Sequence, residues 1–229
     1  MRAVVTGANR GIGLELVRQL LARGATVEAA CRRPEDARAL HALGDASALR
    51  VHRCDVGDDA SVRAFAVELG EGAIDLVVNN AGVSGGSRQS LRDCDFAEAV
   101  RTYDIDALGP LRVSLALLPQ LRRGAGKKLA HITSGLGSIG DNKSGGFFAY
   151  RMAKAALDMM AKNLAVELRG DGIVSVAINP GWVQTDMGGP SAAIAVGDSV
   201  RGILRAIDGA TIDNCGDGIF DWKGGRYPW

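Results

Sequence analysis

The chain alternates between short apolar runs and longer amphipathic ones. Residues 3–6, AVVT, are β-branched at Val4, Val5 and Thr6, as a buried strand would be. In LELVRQLLARG the apolar positions fall at 14, 16, 17, 20 and 21, the stripe of a helix, and Gly24 closes it. The same reading predicts a strand over 25–31, a helix over 34–43 with proline in its first turn, and a strand over 49–54. A helix over 58–69 and a buried strand over 74–78 come next. A long helix is predicted over about 95–122, with Pro110 and Pro119 as kinks or ends. A strand over 128–133, a helix over 149–168, a strand over 173–178, a short helix over 198–208 and a last strand over 218–220 complete the series. Strand and helix in strict turn predict an α/β fold, a doubly wound parallel sheet of about seven strands with helices on both faces. No linker, low-complexity segment or internal repeat interrupts it, so one domain over 1–229 is expected.

Composition narrows the functional classes. Hydrophobic residues make up 47% and charged residues 23% of the chain, which is globular. A net charge of +1 argues against nucleic acid or an anionic membrane as the main partner. No run approaches the ~18 apolar residues of a membrane span. Cys31, Cys54, Cys94 and Cys215 form no C-x-x-C pair and have no histidine at metal spacing. A soluble, cytoplasmic, metal-free protein is expected.

Three glycine patterns compete for the chemistry. TGANRGIG (6–13) follows the first strand and opens the first helix, with Gly7, Gly11 and Gly13 spaced G-x-x-x-G-x-G. Glycines there let backbone N–H groups approach a pyrophosphate, and the helix end behind them adds positive charge. The context is that of a Rossmann-type dinucleotide site. Gly135, Gly137 and Gly140 match G-x-G-x-x-G, but DNKSGG follows, a loop instead of a helix start. These glycines are expected to shape a loop at the C-terminal edge of the sheet. Gly82-Val83-Ser84-Gly85-Gly86 matches the hydrolase pattern G-x-S-x-G. The only histidine after it, His131, lies in a predicted strand, so the hydrolase ranks third among the functional readings.

Tyr150 and Lys154 are four apart at the start of a helix and share one face. A close ammonium favours tyrosinate and is expected to lower the tyrosine pKa from ~10 toward neutrality. Such a tyrosine can give a proton to a carbonyl oxygen or take one from an alcohol. Ser134, at the end of the preceding strand, could orient the same oxygen.

With TGANRGIG, NNAG (79–82), Ser134, Tyr150, Lys154 and NPG (179–181) in this order, the whole chain resembles the short-chain dehydrogenase/reductase family. GSIGDN, GGFFAYRMAKAAL, PGWVQTDMGGP and FDWKGGRYPW resemble its branch of C-factor-like proteins and sniffer-type carbonyl reductases. The resemblance implies a pyrophosphate on Gly7, Gly11 and Gly13, with Asn9, Arg10 and Ile12 in the same loop. It implies adenine at Asp55 and the Val56 backbone. Asn79, Ala81 and Gly82 would support the adenosine side and the central strand. Ser134 would hold the substrate oxygen, and Tyr150 would be the acid/base. Lys154 would bind the nicotinamide ribose and tune Tyr150, with Pro180, Gly181, Val183 and Thr185 along the nicotinamide. One position departs. Where the family has an asparagine in the long helix, this chain has Asp106, which can accept a hydrogen bond or attract Lys154 but cannot donate.

NAD-preferring members usually have an aspartate at the end of the second strand. Here Cys31 is followed by Arg32 and Arg33, with Arg10 in the glycine loop. Arg32 can clamp a 2′-phosphate, so NADP(H) is the expected cofactor and NAD(H) the secondary one. A short segment after Asp186 predicts an open cleft for a small-molecule carbonyl or alcohol, with Phe147, Phe148 and Trp182 as walls. Apolar residues around more than one face of the 149–168 helix (Leu157, Met159, Met160, Leu164, Val166 and Leu168) suit a partner, and the resemblance, in which this helix and the preceding long one pair across a dimer interface, implies a homodimer or a homotetramer. The alternative reading is a C-factor-like signalling protein that binds a dinucleotide with little turnover.

Overall fold

The computed structural model describes residues 1–44 and 46–229. Eight strands join one sheet: β1 (Arg2–Thr6), β2 (Thr26–Cys31), β3 (Leu49–Arg53), β4 (Leu76–Asn79), β5 (Lys128–Ile132), β6 (Val174–Asn179), β7 (Ile219–Asp221) and β8 (Arg226–Tyr227). Their order is β3-β2-β1-β4-β5-β6-β7-β8. All pairs are parallel except β7–β8. The winding reverses between β1 and β4, which opens a crevice beyond the strands' C-terminal ends.

The helices are α1 (Gly11–Ala22), α2 (Arg38–His41), α3 (Asp59–Glu68), α4 (Phe96–Tyr103), α5 (Gly109–Arg123), α6 (Phe148–Glu167) and α7 (Val196–Gly209). Leu16, Val17 and Leu20 of α1 pack with Val200, Ile203 and Ile207 of α7 on one face of the sheet. Phe65 of α3, Leu117 and Leu121 of α5, and Leu157 and Leu164 of α6 cover the other. Central strands such as LVVN (76–79) are buried along their whole length, as strands covered on both faces must be.

Four details differ from the sequence reading. β8 is an eighth strand, antiparallel and only two residues long, too short for any periodic signal. The helix expected over 34–43 is a 3₁₀ turn followed by four helical residues, because only Ala37 and Leu40 are buried there. The long helix does not end at either proline. It runs from α4 through one π-helical turn (Asp104–Leu108) into α5. Pro110 falls in the first turn of α5, and Pro119 is exposed, as is Leu115, whose carbonyl it cannot bond. Of the six apolar residues singled out on α6, only Met159 and Val166 face outward; Leu157, Met160, Leu164 and Leu168 belong to the core. The outward apolar surface comes instead from Met152, Met159 and Val166 together with Phe96, Val100 and Tyr103 of neighbouring α4. Among the described residues no helix is long and apolar enough to cross a membrane.

Candidate active site

A cleft of about 1150 Å³ lies along the C-terminal edge of the sheet. The turn from β1 to α1 forms one end. Gly7 and Gly11 are left-handed, at φ +63° and +54°. A Cβ on Gly13 would run into the Gly7 carbonyl and come within 2.6 Å of Asn80 Nδ2. No side chain caps α1, so its first-turn N–H groups are available to an anion. These features fit a dinucleotide pyrophosphate.

Asn9, Arg10 and Ile12 line this end, followed by Arg32 beyond β2 and Asp55 and Val56 beyond β3. Arg32 has no carboxylate partner among the described residues. Arg10 pairs with Asp186 across the mouth at 2.9 Å, so its charge is already shared. Ala81, Gly82, Pro180, Gly181, Val183 and Thr185 also line the cleft. Asn79 does not. It is buried at the end of β4, with Nδ2 donating to Ser114 Oγ at 3.0 Å and bonded to His131 Nδ1 at 3.1 Å. The next residue, Asn80, lines the cleft and donates to the Thr6 and Gly7 carbonyls. Alternation along a strand decides which of two adjacent asparagines lines the cleft, and NNAG alone does not reveal the phase.

Ser134, Tyr150 and Lys154 meet at the other end. Ser134 Oγ accepts from the Leu136 N–H at 3.1 Å, which fixes the serine at the start of a 3₁₀ turn. Lys154 Nζ lies 5.5 Å from the Tyr150 ring centre and donates to the Ile132 carbonyl at 3.2 Å. Its ion partner is Asp106 Oδ2, at 3.1 Å, with side chains 6% and 0% exposed. Asp106 Oδ1 accepts from the Val83 N–H at 2.8 Å. The π turn inserts this carboxylate into the site, a common place for such turns.

This arrangement corrects the expected titration of Tyr150. Burial raises its pKa above the ordinary phenol value; Lys154 pulls it down, and Asp106 pushes it up again. For Lys154, burial alone would lower the pKa, but Asp106 and Tyr150 outweigh it and the group is held protonated. A second acid sits one helical turn below. The buried Asp158 carboxyl is pushed up to about 7 by burial, against the Thr133 hydroxyl and Lys154, which lower it. It also explains part of the second glycine pattern, since a Cβ on Gly137 would lie 2.5 Å from Asp158 Oδ2.

This end is walled by Phe147, Trp182, Leu136 and Tyr227, whereas Phe148 does not line the cleft. Tyr227 comes from β8, which the sequence reading missed. The segment after Asp186 is pinned and not loose: Gln184 N–H bonds the Ile194 carbonyl at 2.9 Å, and Trp182 Nε1 bonds the Gly188 carbonyl at 2.9 Å. The G-x-S-x-G pattern assembles no hydrolase. His131 is fully buried, held neutral with its pKa pushed down to about 3 by burial, and bonds Asn79 and Ser175.

The family model for short chain dehydrogenases matches residues 1–193. C-signal of Myxococcus xanthus is 51% identical over 168 residues, 73% of this chain and 100% of the relative. The 1-hydroxy-2-glutathionyl-2-methyl-3-butene dehydrogenase of Rhodococcus sp. (strain AD45) is 36% identical over 228 residues, 95% of this chain and 97% of the relative. Among solved structures, the NADPH-bound carbonyl reductase from chicken fatty liver superposes with a TM-score of 0.91 at 33% identity, covering 100% of this chain and 98% of its own. Carbonyl reductase Sniffer of D. melanogaster gives a TM-score of 0.92 at 29% identity, with 100% and 99% covered. The strand order, the glycine turn and these likenesses agree: the chain belongs to the short-chain dehydrogenase family of NAD(P)-dependent oxidoreductases.

Proposed function

We propose that the protein is an NADP(H)-dependent carbonyl reductase acting on a small-molecule carbonyl or, in reverse, an alcohol. One observation carries the reading: a serine hydroxyl, a half-buried phenol and a buried ammonium share one end of a cleft whose other end is the glycine turn. Ser134 holds the substrate oxygen by a hydrogen bond. Tyr150 gives that oxygen its proton in reduction and takes it back in oxidation. Lys154 keeps a positive charge beside the phenol and favours tyrosinate as the proton leaves. The bound nicotinamide supplies or accepts the hydride. The test is absorbance loss of NADPH with a panel of aldehydes and diketones. Turnover supports the reading, and tight cofactor binding without turnover across the panel overturns it.

That second outcome would favour a signalling protein that binds a dinucleotide with little turnover. The buried Lys154–Asp106 pair supports this alternative, because it occupies the lysine charge that catalysis would use.

Arg32 is the residue proposed to select NADP(H). A charge-assisted contact to a 2′-phosphate is worth roughly 1.5–3 kcal/mol. Arg32→Ala is therefore expected to weaken NADPH binding about 10–100-fold and leave NADH unchanged. Comparable efficiency of the wild type with NADH, or an unchanged affinity of the variant for NADPH, would rule it out.

The outward face of α4 and α6 is proposed to pair two copies into a homodimer, which could double into a homotetramer. Sedimentation should give at least twice the chain mass. Val100→Arg, which puts a charge in the middle of the apolar patch, should shift it to the monomer. A wild-type species of single-chain mass refutes the pairing. The four free cysteines fit a cytoplasmic location.

A further inference from the structure

The catalytic helix lacks a cap of its own. A helix leaves its first N–H groups without intrahelical acceptors, usually met by a serine, threonine, aspartate or asparagine just before it. Before α6 stands Phe147, left-handed at φ 50° and ψ 42°, whose side chain makes no capping bond. Tyr150 is the third residue of that helix, within the turn most prone to fray.

Gln89, 61 residues upstream in the loop between β4 and α4, fills the gap. Its Oε1 accepts the Tyr150 N–H at 3.0 Å, and its backbone carbonyl accepts the Phe148 N–H at 3.0 Å. Its Nε2 donates to the Ser84 and Gly86 carbonyls, both at 2.8 Å. These partners fix which end of the amide is oxygen, because a flipped amide would set NH₂ against the Tyr150 N–H. Gln89 itself is only 6% exposed, although the Ser84 and Gly86 carbonyls it holds belong to exposed residues. The loop is shaped around it. Gly85 and Gly86 are left-handed at φ +81° and +71°, and a Cβ on Gly85 would lie 2.8 Å from Gln89 Oε1. Val83 and Ser84 of the same loop line the cleft.

We propose that Gln89 is a positioning residue for Tyr150: it caps the catalytic helix from a distant loop and ties that helix to the substrate wall. The proposal rests on the reductase reading for its kinetic consequence, not for its geometry. The acceptor half of the amide sets the height of the Tyr150 hydroxyl against Ser134. The donor half sets the loop that the substrate touches.

Two variants separate the halves. Gln89→Met keeps the shape and removes every side-chain bond. It is expected to lower kcat about tenfold and leave NADPH affinity within about twofold. Gln89→Glu keeps the acceptor at a helix N-terminus, which favours negative charge, but loses both donors. It should recover most of kcat while KM rises. Amide hydrogen exchange reads the cap without turnover: the Tyr150 amide should exchange at least about tenfold faster in Gln89→Met, with mid-α6 amides unchanged. If the exchange rate of Tyr150 does not change, the cap is absent and the proposal fails. If exchange quickens but both variants keep wild-type kcat and KM per folded molecule, Gln89 is a structural brace only and the proposal fails. A wild type without turnover would sink the reductase reading, while the exchange result would still decide the cap.

Discussion

Tyr150→Phe is expected to lower kcat for carbonyl reduction by about 10²–10⁴-fold, the range lost with a general acid. NADPH affinity should stay within about twofold of wild type, because the role proposed for the phenol belongs to the proton-transfer step. Steady-state rates and a fluorescence titration with NADPH measure the two separately. A variant that keeps more than about a tenth of kcat would show that water or Ser134 protonates the product oxygen. The pH dependence follows from burial. Because the Tyr150 pKa is raised, the phenol stays protonated well into the alkaline range. Reduction, which needs the acid form, should hold its rate to high pH. Alcohol oxidation needs tyrosinate and should climb as pH rises.

The second large effect belongs to Asp106. Its carboxylate competes for the Lys154 charge that would otherwise favour tyrosinate, and it directly raises the Tyr150 pKa. Asp106→Asn removes that negative charge and keeps the shape. The Tyr150 pKa should fall, so the alkaline limb of reduction and the onset of oxidation both move to lower pH. Asp106→Ala is harsher. It leaves Lys154 buried without its ion partner, a loss of roughly 3–5 kcal/mol in typical buried pairs. Asp158, held up at about 7, would then be drawn to ionise as the remaining counter-charge. Denaturant melts and pH–rate profiles of both variants check the two claims. Profiles that superpose on wild type would mean that Asp106 does not act on Tyr150.

The sequence carried the parts of the fold that depend on repeating local patterns. Strand runs buried on both faces and the strand–glycine–helix start at Gly7 to Gly13 are of that kind. What it did not carry depends on contacts between distant residues. Gln89 looks like any loop glutamine until α6 is placed beside it. Asp158 reads as a polar helix position, yet it is buried under Gly137. The two-residue β8 has no period to detect. The direction of the Tyr150 pKa is not legible either, because spacing brings Lys154 close but does not show burial, or the acid that competes for its charge. Nor does motif matching reveal which of Asn79 and Asn80 lines the cleft, since that depends on the phase of β4.

The C-terminal hairpin also gives the cleft an order of assembly. Ser138 Oγ donates to the Pro228 carbonyl at 2.6 Å across 90 residues, and the Gly140 N–H bonds the Trp229 carbonyl at 2.9 Å. As the chain leaves the ribosome, the glycine turn and the first five strands emerge long before those partners. The nucleotide half can therefore form while the loop after Ser134 is still unclamped. A partly made chain would hold the glycine turn before it held a clamped loop after Ser134, and closing the hairpin would bring that loop into register.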